Sequence, residues 1–443
     1  MNPIPHVFPE EMEFLRILWC DNANIIRAKA IYLQEGEDFP LKVGIGAGQQ
    51  GVPVMHDGII EESGLSPIGE IQLEADLSTF KELDYAPGHV QVMGYMIKDG
   101  KIWSCCPRGF LKKMIINLKK INLEVKSSFE NEFYLLKNDS EQKKGPEILE
   151  ETPFASTYSM NINHDFIREL VDSINNQGMR VEQYYPEAGP GQQEVTIKYD
   201  DALVSADNQI SFRDTVKAVA HLHGIRSSFL PKIFSQKSGN GCHIHLSLWK
   251  SDENKTGDMD NEYGLSSQCK QFIAGILKHL PAIMAITTPT SNSYRRIKPK
   301  TWSGAFQCWG IDNREAAIRV ISEEDGAVKH LEIKAVDASS NPYLALGAII
   351  AAGMDGLKNS LELEKPLQED PGNMTPSDLA KRKIKLLPNN LGDAIYHLEN
   401  DKIILDALGK DLSKAYLAVK KAEWEFFKDL SLSEEVEILL DKF

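Results

Sequence analysis

Long apolar runs, Cys-x-x-Cys pairs and an excess of basic residues are all missing from this chain. Without a stretch of about 18 apolar residues, no membrane-spanning helix is expected. The six cysteines (Cys20, Cys105, Cys106, Cys242, Cys269 and Cys308) follow no disulfide-framework spacing. In a chain of this length they read as reduced thiols. The N-terminal Met-Asn-Pro-Ile-Pro-His has no basic segment leading into an apolar one, so no secretory signal is expected and the compartment reads as cytoplasmic. Against 49 Lys and Arg stand 64 Asp and Glu, a net charge of −15. That balance argues against nucleic acid or an anionic membrane surface as the main partner. No internal repeat and no low-complexity tract occurs.

What remains is an ordinary globular composition, 42% hydrophobic and 26% charged over 443 residues, enough for two to three domains of about 150 residues each. Residues 12–33 read as a β-hairpin turning at Cys20–Asn24, and short strands continue to about Ile102. Residues 1–103 are therefore expected to form a small β-rich domain, and 104–443 a larger one. Helical spacing marks 107–122, 162–175, 212–223, 272–286 and 341–357. A strand is expected over 124–136, and the polar 137–151 segment reads as an exposed loop. Residues 365–390, with four prolines, read as a surface connection, and 401–427 as a charged helical tail.

The densest chemistry lies at Ser238–Trp249, Ser-Gly-Asn-Gly-Cys-His-Ile-His-Leu-Ser-Leu-Trp. A glycine-rich turn enters an alternating strand with His243, His245 and Ser247 on one face and Ile244, Leu246 and Leu248 on the other. Such a strand also fits buried histidines with ordinary hydrogen-bond partners. Phe129-Glu130-Asn131-Glu132-Phe133 places two carboxylates on one strand face, either exposed on an edge or stabilised by cations between them. Glu187 and Glu194 bracket a Gly-Pro-Gly turn that is otherwise a plain surface hairpin. Glu332 shares a face with Lys334, with which it could simply pair. Arg296, Arg314 and Arg319 supply planar donors suited to carboxylate and phosphate. Five glutamates, one or two histidines and three arginines together ask for a polyphosphate held by hard cations.

Taken in order, these motifs resemble the glutamine synthetase superfamily over nearly the whole chain. They are Glu-x-Glu-Phe at 130–133, Glu-x-Gly-Pro-Gly-Gln-x-Glu at 187–194 and Gly-x-Gly-x-His-x-His-x-Ser-Leu at 239–248. Asn-Ser-Tyr-x-Arg at 292–296, Asn-Arg-x-x-x-x-Arg at 313–319 and Glu-x-Lys-x-x-Asp-x-x-x-Asn-Pro-Tyr-Leu at 332–344 follow. The resemblance implies an α+β fold: a β-grasp domain over 1–103 and, over 104–443, a catalytic domain built on an antiparallel half-barrel sheet with helices. It implies hexameric rings, usually stacked as homo-dodecamers, with active sites between subunits. Glu132, Glu187 and Glu194 would hold one Mg²⁺ or Mn²⁺, and Glu130, His243 and Glu332 another. The substrates implied are ATP, glutamate and an amine. Arg314 and Arg319 match positions that contact phosphate, and Arg296 the position that binds the glutamate α-carboxylate. Gly239 and His243 would shape the glutamate pocket beside Glu132, while His245 and Ser247 match the nucleotide side. The reactive acyl-phosphate implies a closing loop.

The chain departs from the pattern at Trp302, where glutamine synthetases carry a flap glutamate that helps bind and deprotonate ammonium. An indole accepts no ammonium proton but offers an aromatic wall to an alkyl or cationic amine. This resembles the branch of γ-glutamylpolyamine synthetases and related glutamate–amine ligases. Asp57 matches the family's amine-site aspartate, contributed from the neighbouring subunit. Ser238 stands for an expected asparagine, and Lys334 for an arginine, keeping charge without the fork. Residues 365–390 lack a tyrosine, so adenylylation has no acceptor there. Two alternatives stay open: a glutamine synthetase using ammonia, and a non-catalytic structural relative.

Overall fold

The computed structural model describes residues 12–33, 41–138, 145–324 and 326–443. The N-terminal hexapeptide and part of the 137–151 loop lie outside the described residues.

Two sheets organise the chain. In the first, β1 (Phe14–Cys20) and β2 (Ile26–Tyr32) form the expected hairpin, joined by β3 (Lys42–Gly46), β4 (Glu70–Glu82), β5 (His89–Lys98) and β6 (Lys101–Ile102). The order is β2-β1-β5-β4-β3, with β6 on β5, and β1 runs parallel to β5. Alternation supplies its core: Leu15, Ile17 and Trp19 point the same way as Ile71, Leu73, Val90 and Val92, and all are buried together.

The second sheet comprises β7 (Glu124–Lys137), β8 (Val181–Pro186), β9 (Gln192–Ile197), β10 (Asp200–Asp201), β11 (Ile225–Ser228), β12 (Cys242–Lys250), β13 (Glu253–Asn254), β14 (Phe306–Ile311), β15 (Ala316–Ser322) and β16 (Val328–Ile333). Its main path is β14-β15-β16-β12-β7-β9-β8. It is the antiparallel half-barrel expected of this α+β chain, except that β14 and β15 pair in parallel. Helices Ala202–Leu222, Ser267–Thr287 and Pro342–Lys358 cover its apolar side. Ser267–Thr287 is long and apolar enough to cross a membrane by composition, yet 72% of its most apolar stretch is buried within the protein. It is a core helix.

Polar ties join the sheets. Asn341 caps the Pro342 helix by accepting from the Tyr343 and Leu344 N–H groups, while its amide donates to the Cys20 and Asp21 carbonyls. Buried Arg108 donates to both oxygens of Asp207 and to Asp76 of β4.

Two expectations change. The helix expected from Phe212 begins at Ala202, because its first turns bury Asp207, Asn208 and Gln209, whose polarity masks the helical face. The 401–427 tail is broken at Gly409, with φ 82°, and packed rather than solvated. Its Lys420 and Glu423 are buried as an ion pair 2.7 Å apart, and Glu423 accepts the Val54 N–H from the N-terminal part of the chain.

Candidate active site

Strand register alone assembles the acidic and imidazole side chains. β7 lies between β9 and β12, so Glu132 faces Glu194 and Glu130 faces His243. β12 lies between β7 and β16, and His245 faces Glu332, which in turn faces Arg319 of β15. These side chains form one row across the concave face of the sheet, while Phe129, Phe133, Ile244 and Leu246 fill the core behind it.

The row is tightly bonded. His243 Nδ1 is 2.9 Å from Glu130 Oε1 and 3.1 Å from Glu332 Oε1. His245 Nε2 is 3.0 Å from Glu130 Oε2. Glu332 also accepts from Lys334 Nζ at 2.9 Å and Arg319 Nη1 at 2.8 Å. Glu132 Oε2 accepts from the Gly241 N–H and from Gln192 Nε2, each at 3.0 Å. Glycine is needed here: a Cβ on Gly241 would stand 2.7 Å from His243 Nε2, and one on Gly239 2.5 Å from the Pro231 carbonyl.

Electrostatics divides the row in two. Burial by itself would raise Glu130 and Glu332, but bonds from His243 and His245 hold Glu130 well below the usual carboxylate range, and Lys334 with His243 does the same for Glu332. His243 is raised, its bonds to Glu130 and Glu332 outweighing burial and the Lys334 charge. At the other end burial dominates. Together with the carboxylates of Glu130, Glu132, Glu187 and Glu332 it pushes Glu194 up to about 10, and burial likewise raises Glu132. Like charges this close call for cations among them, so the donor set fits divalent metal. Glu130, Glu132 and His243 offer ligand atoms within 4.8 Å of one another, as do Glu130, His245 and Glu332. His245, expected on the nucleotide side, thus stands beside Glu130, while Glu187 and Glu194 fall outside these two close groups.

In front of the row opens a cavity of about 700 Å³ lined by charges of both signs. Glu130, Glu132 and Glu187 line it together with Lys232, Arg296, Lys298, Lys300, Arg314 and Lys334, and Gly239 and His243 line it as well. Arg296 is buried; its Nη2 donates to the Val336 carbonyl at 2.8 Å, while its Nε has no partner among the described residues. A buried guanidinium that lines a cavity fits a carboxylate ligand.

Trp302 sits on the rim, 59% exposed, with the Arg314 guanidinium 5.9 Å from its ring. The Arg319 Nε is also buried and without a partner among the described residues. Ser247 is occupied by the Trp249 indole N–H, 2.8 Å away. Asp57 lies exposed and does not line the cavity of its own chain.

Sequence reasoning missed several contributors, among them Lys232 and Lys298 of the cavity lining and Gln192, which bonds Glu132. Phe154 and Tyr185 line the cavity as an edge-on pair with ring centroids 6.1 Å apart, and the Tyr185 hydroxyl donates to Glu187 at 2.5 Å. Glu315 bonds the rim from behind. Of these last three, only Tyr185, in an alternating strand next to the Glu187 turn, carried any local signal.

Residues 104–438 match the family model "Glutamine synthetase, catalytic domain". The chain is 35% identical to type-1 glutamine synthetase 1 of Dictyostelium discoideum, an alignment covering 98% of this chain and 90% of that protein. It is 33% identical to the glutamine synthetase of Pyrococcus horikoshii over 95% and 91% of the two chains. Among solved structures it is similar to a novel glutamine synthase homolog, with a TM-score of 0.85 and 28% identity over 99% and 100% of the chains. It is also similar to GmaS in complex with ADP, with a TM-score of 0.81 and 28% identity over 98% and 97%.

Proposed function

The chain belongs to the glutamine synthetase family of carbon–nitrogen ligases, and from that premise we propose that it joins the γ-carboxylate of glutamate to an amine larger than ammonia at the cost of ATP. The observation that carries the choice of amine is Trp302, an exposed indole at the rim where a flap glutamate would otherwise stand. Phe154 and Tyr185 line the same cavity and extend its apolar surface.

In this reading the Arg296 guanidinium, which lines the cavity, holds the glutamate α-carboxylate, with Gly239 giving the backbone room to approach. Two or more Mg²⁺ or Mn²⁺ ions would be held by Glu132, Glu187 and Glu194 and by Glu130, His243 and Glu332, supplying charge neutralisation for phosphoryl transfer. Arg314 and Arg319 take up negative charge on the transferred phosphoryl group, and His245 and Ser247 are our candidates for the nucleotide side. The glutamate γ-carboxylate attacks the γ-phosphorus of ATP, releasing ADP. The acceptor nitrogen then attacks the acyl carbon, phosphate leaves, and the ammonium proton passes to a carboxylate. Asp57 of a neighbouring subunit is our candidate for that base, in a hexameric or dodecameric ring with its domain boundary at 103/104. The six cysteines are free and buried, which supports a reducing, cytoplasmic compartment.

Phosphate release with glutamate, ATP and an amine panel tests the reading. Release with methylamine, ethylamine or putrescine and little with ammonia is expected. Release with ammonia alone would make the protein a glutamine synthetase, and silence throughout would make it a structural relative.

A further inference from the structure

Glu315 has no role in the chemistry above, yet it is buried behind the cavity rim, 6% exposed. It makes no ion pair with Lys, Arg or His among the described residues. Its carboxylate is turned instead on the backbone of the rim turn: Oε2 accepts the Lys300 N–H at 3.1 Å and Oε1 the Trp302 N–H at 2.9 Å. Both of those residues have left-handed backbones, with φ 63° at Lys300 and 55° at Trp302. Residues with side chains disfavour that conformation and keep it only where surrounding bonds impose it.

The rest of the turn is tied down as well. Thr301 and Ser303 hydroxyls donate to the Lys298 carbonyl at 2.7 and 2.9 Å, and Ser303 Oγ accepts the Lys298 N–H at 2.9 Å. At Gly304, φ 71°, a Cβ would stand 2.9 Å from Lys334 Cβ, so the chain re-enters the sheet against the cavity wall. Trp302 therefore has a pinned backbone and an exposed side chain. The residue that pins it adjoins Arg314 in sequence, whose guanidinium approaches the indole.

We propose that Glu315 is a positioning residue: its carboxylate clamps the Lys300–Trp302 turn and so sets the indole as a fixed wall of the port through which the acceptor nitrogen enters. The wall is fixed before substrate binds. The assignment of the port rests on the proposed function, but the clamp itself does not, and the two are tested separately.

In the unaltered protein, hydrogen exchange should find the Lys300 and Trp302 amides protected, and rapid exchange at both would overturn the clamp. Glu315→Gln retains one acceptor and turns an N–H₂ group on the other donor. It should expose the Lys300–Thr301 bond to trypsin and raise the KM of whichever nitrogen nucleophile is used, ammonia included, about tenfold, the worth of one charge-assisted bond. The KM values for glutamate and ATP should stay within about twofold, because the replaced carboxylate bonds only the backbone of the turn and no substrate. The rise should vanish when Trp302→Ala is already present. A parallel rise in all three KM values, or an undiminished effect on top of Trp302→Ala, would overturn the proposal. Failure of the amine-ligase reading would show instead in the acceptor profile of the parent enzyme.

Discussion

Replacing Arg296 by lysine keeps a cation at the cavity wall and removes the planar fork. In the structure Nη2 is engaged by the Val336 carbonyl at 2.8 Å, so a lysine ammonium must divide itself between that carbonyl and a carboxylate in the cavity, which the guanidinium fork can hold at the same time. A hydrogen bond between charged groups contributes about 1.5–3 kcal/mol. Losing one should raise the KM for glutamate roughly 10- to 100-fold, since about 1.4 kcal/mol is tenfold. Burial works against the charge of Arg296 while Asp337 and Glu132 favour it, and lysine keeps a cation beside those carboxylates. Initial rates of phosphate release, with glutamate varied at saturating ATP and acceptor, give the KM, and a thermal melt checks folding. A glutamate KM within twofold of the parent, or an ATP KM rising in step, would refute the placement of the α-carboxylate at Arg296.

Trp302→Glu should shift the acceptor preference towards ammonia, read as the ratio of kcat/KM for ethylamine to that for ammonia; an unchanged ratio would remove the indole from acceptor choice. His279 lies between Asp401, with Nδ1 2.6 Å away, and Asp355, with Nε2 3.0 Å away. Burial alone would lower its pKa, but these two bonds raise it above the ordinary value. Its stabilisation is therefore complete below about pH 6.5, the unfolded value, and is lost as pH climbs through the higher folded value. His279→Asn should accordingly lower the melting temperature more at pH 6 than at pH 9, and an equal loss at both would contradict the buried imidazolium.

The row of functional side chains was legible in the sequence because strand alternation has a period of two: Glu130 with Glu132 and His243 with His245 had to share faces. The register between strands was not legible. It alone brings Glu332 to His245 and Glu194 to Glu132, since cross-strand partners are set by pairings far apart in the chain. The hairpin at 12–33 and the capped helix after Asn341 carried local turn and capping chemistry, and both form. The helix at Ala202 began with residues whose polarity is satisfied only by tertiary contacts, such as Asp207 with Arg108. Phe154 and Glu315 act through packing and backbone bonds that leave no periodic trace. Lys334 was legible as a partner of Glu332, and that pair forms.

The central claim is that the carboxylates converging on this sheet hold divalent cations for transfer of a phosphoryl group. Titration of Mn²⁺ followed by electron paramagnetic resonance tests it without reliance on turnover. Saturable binding of two or more ions per chain is expected, with at least one lost or weakened roughly tenfold or more in Glu194→Gln, whose carboxylate lies among four others. Absence of saturable binding, or an unaltered isotherm in that variant, would contradict the account.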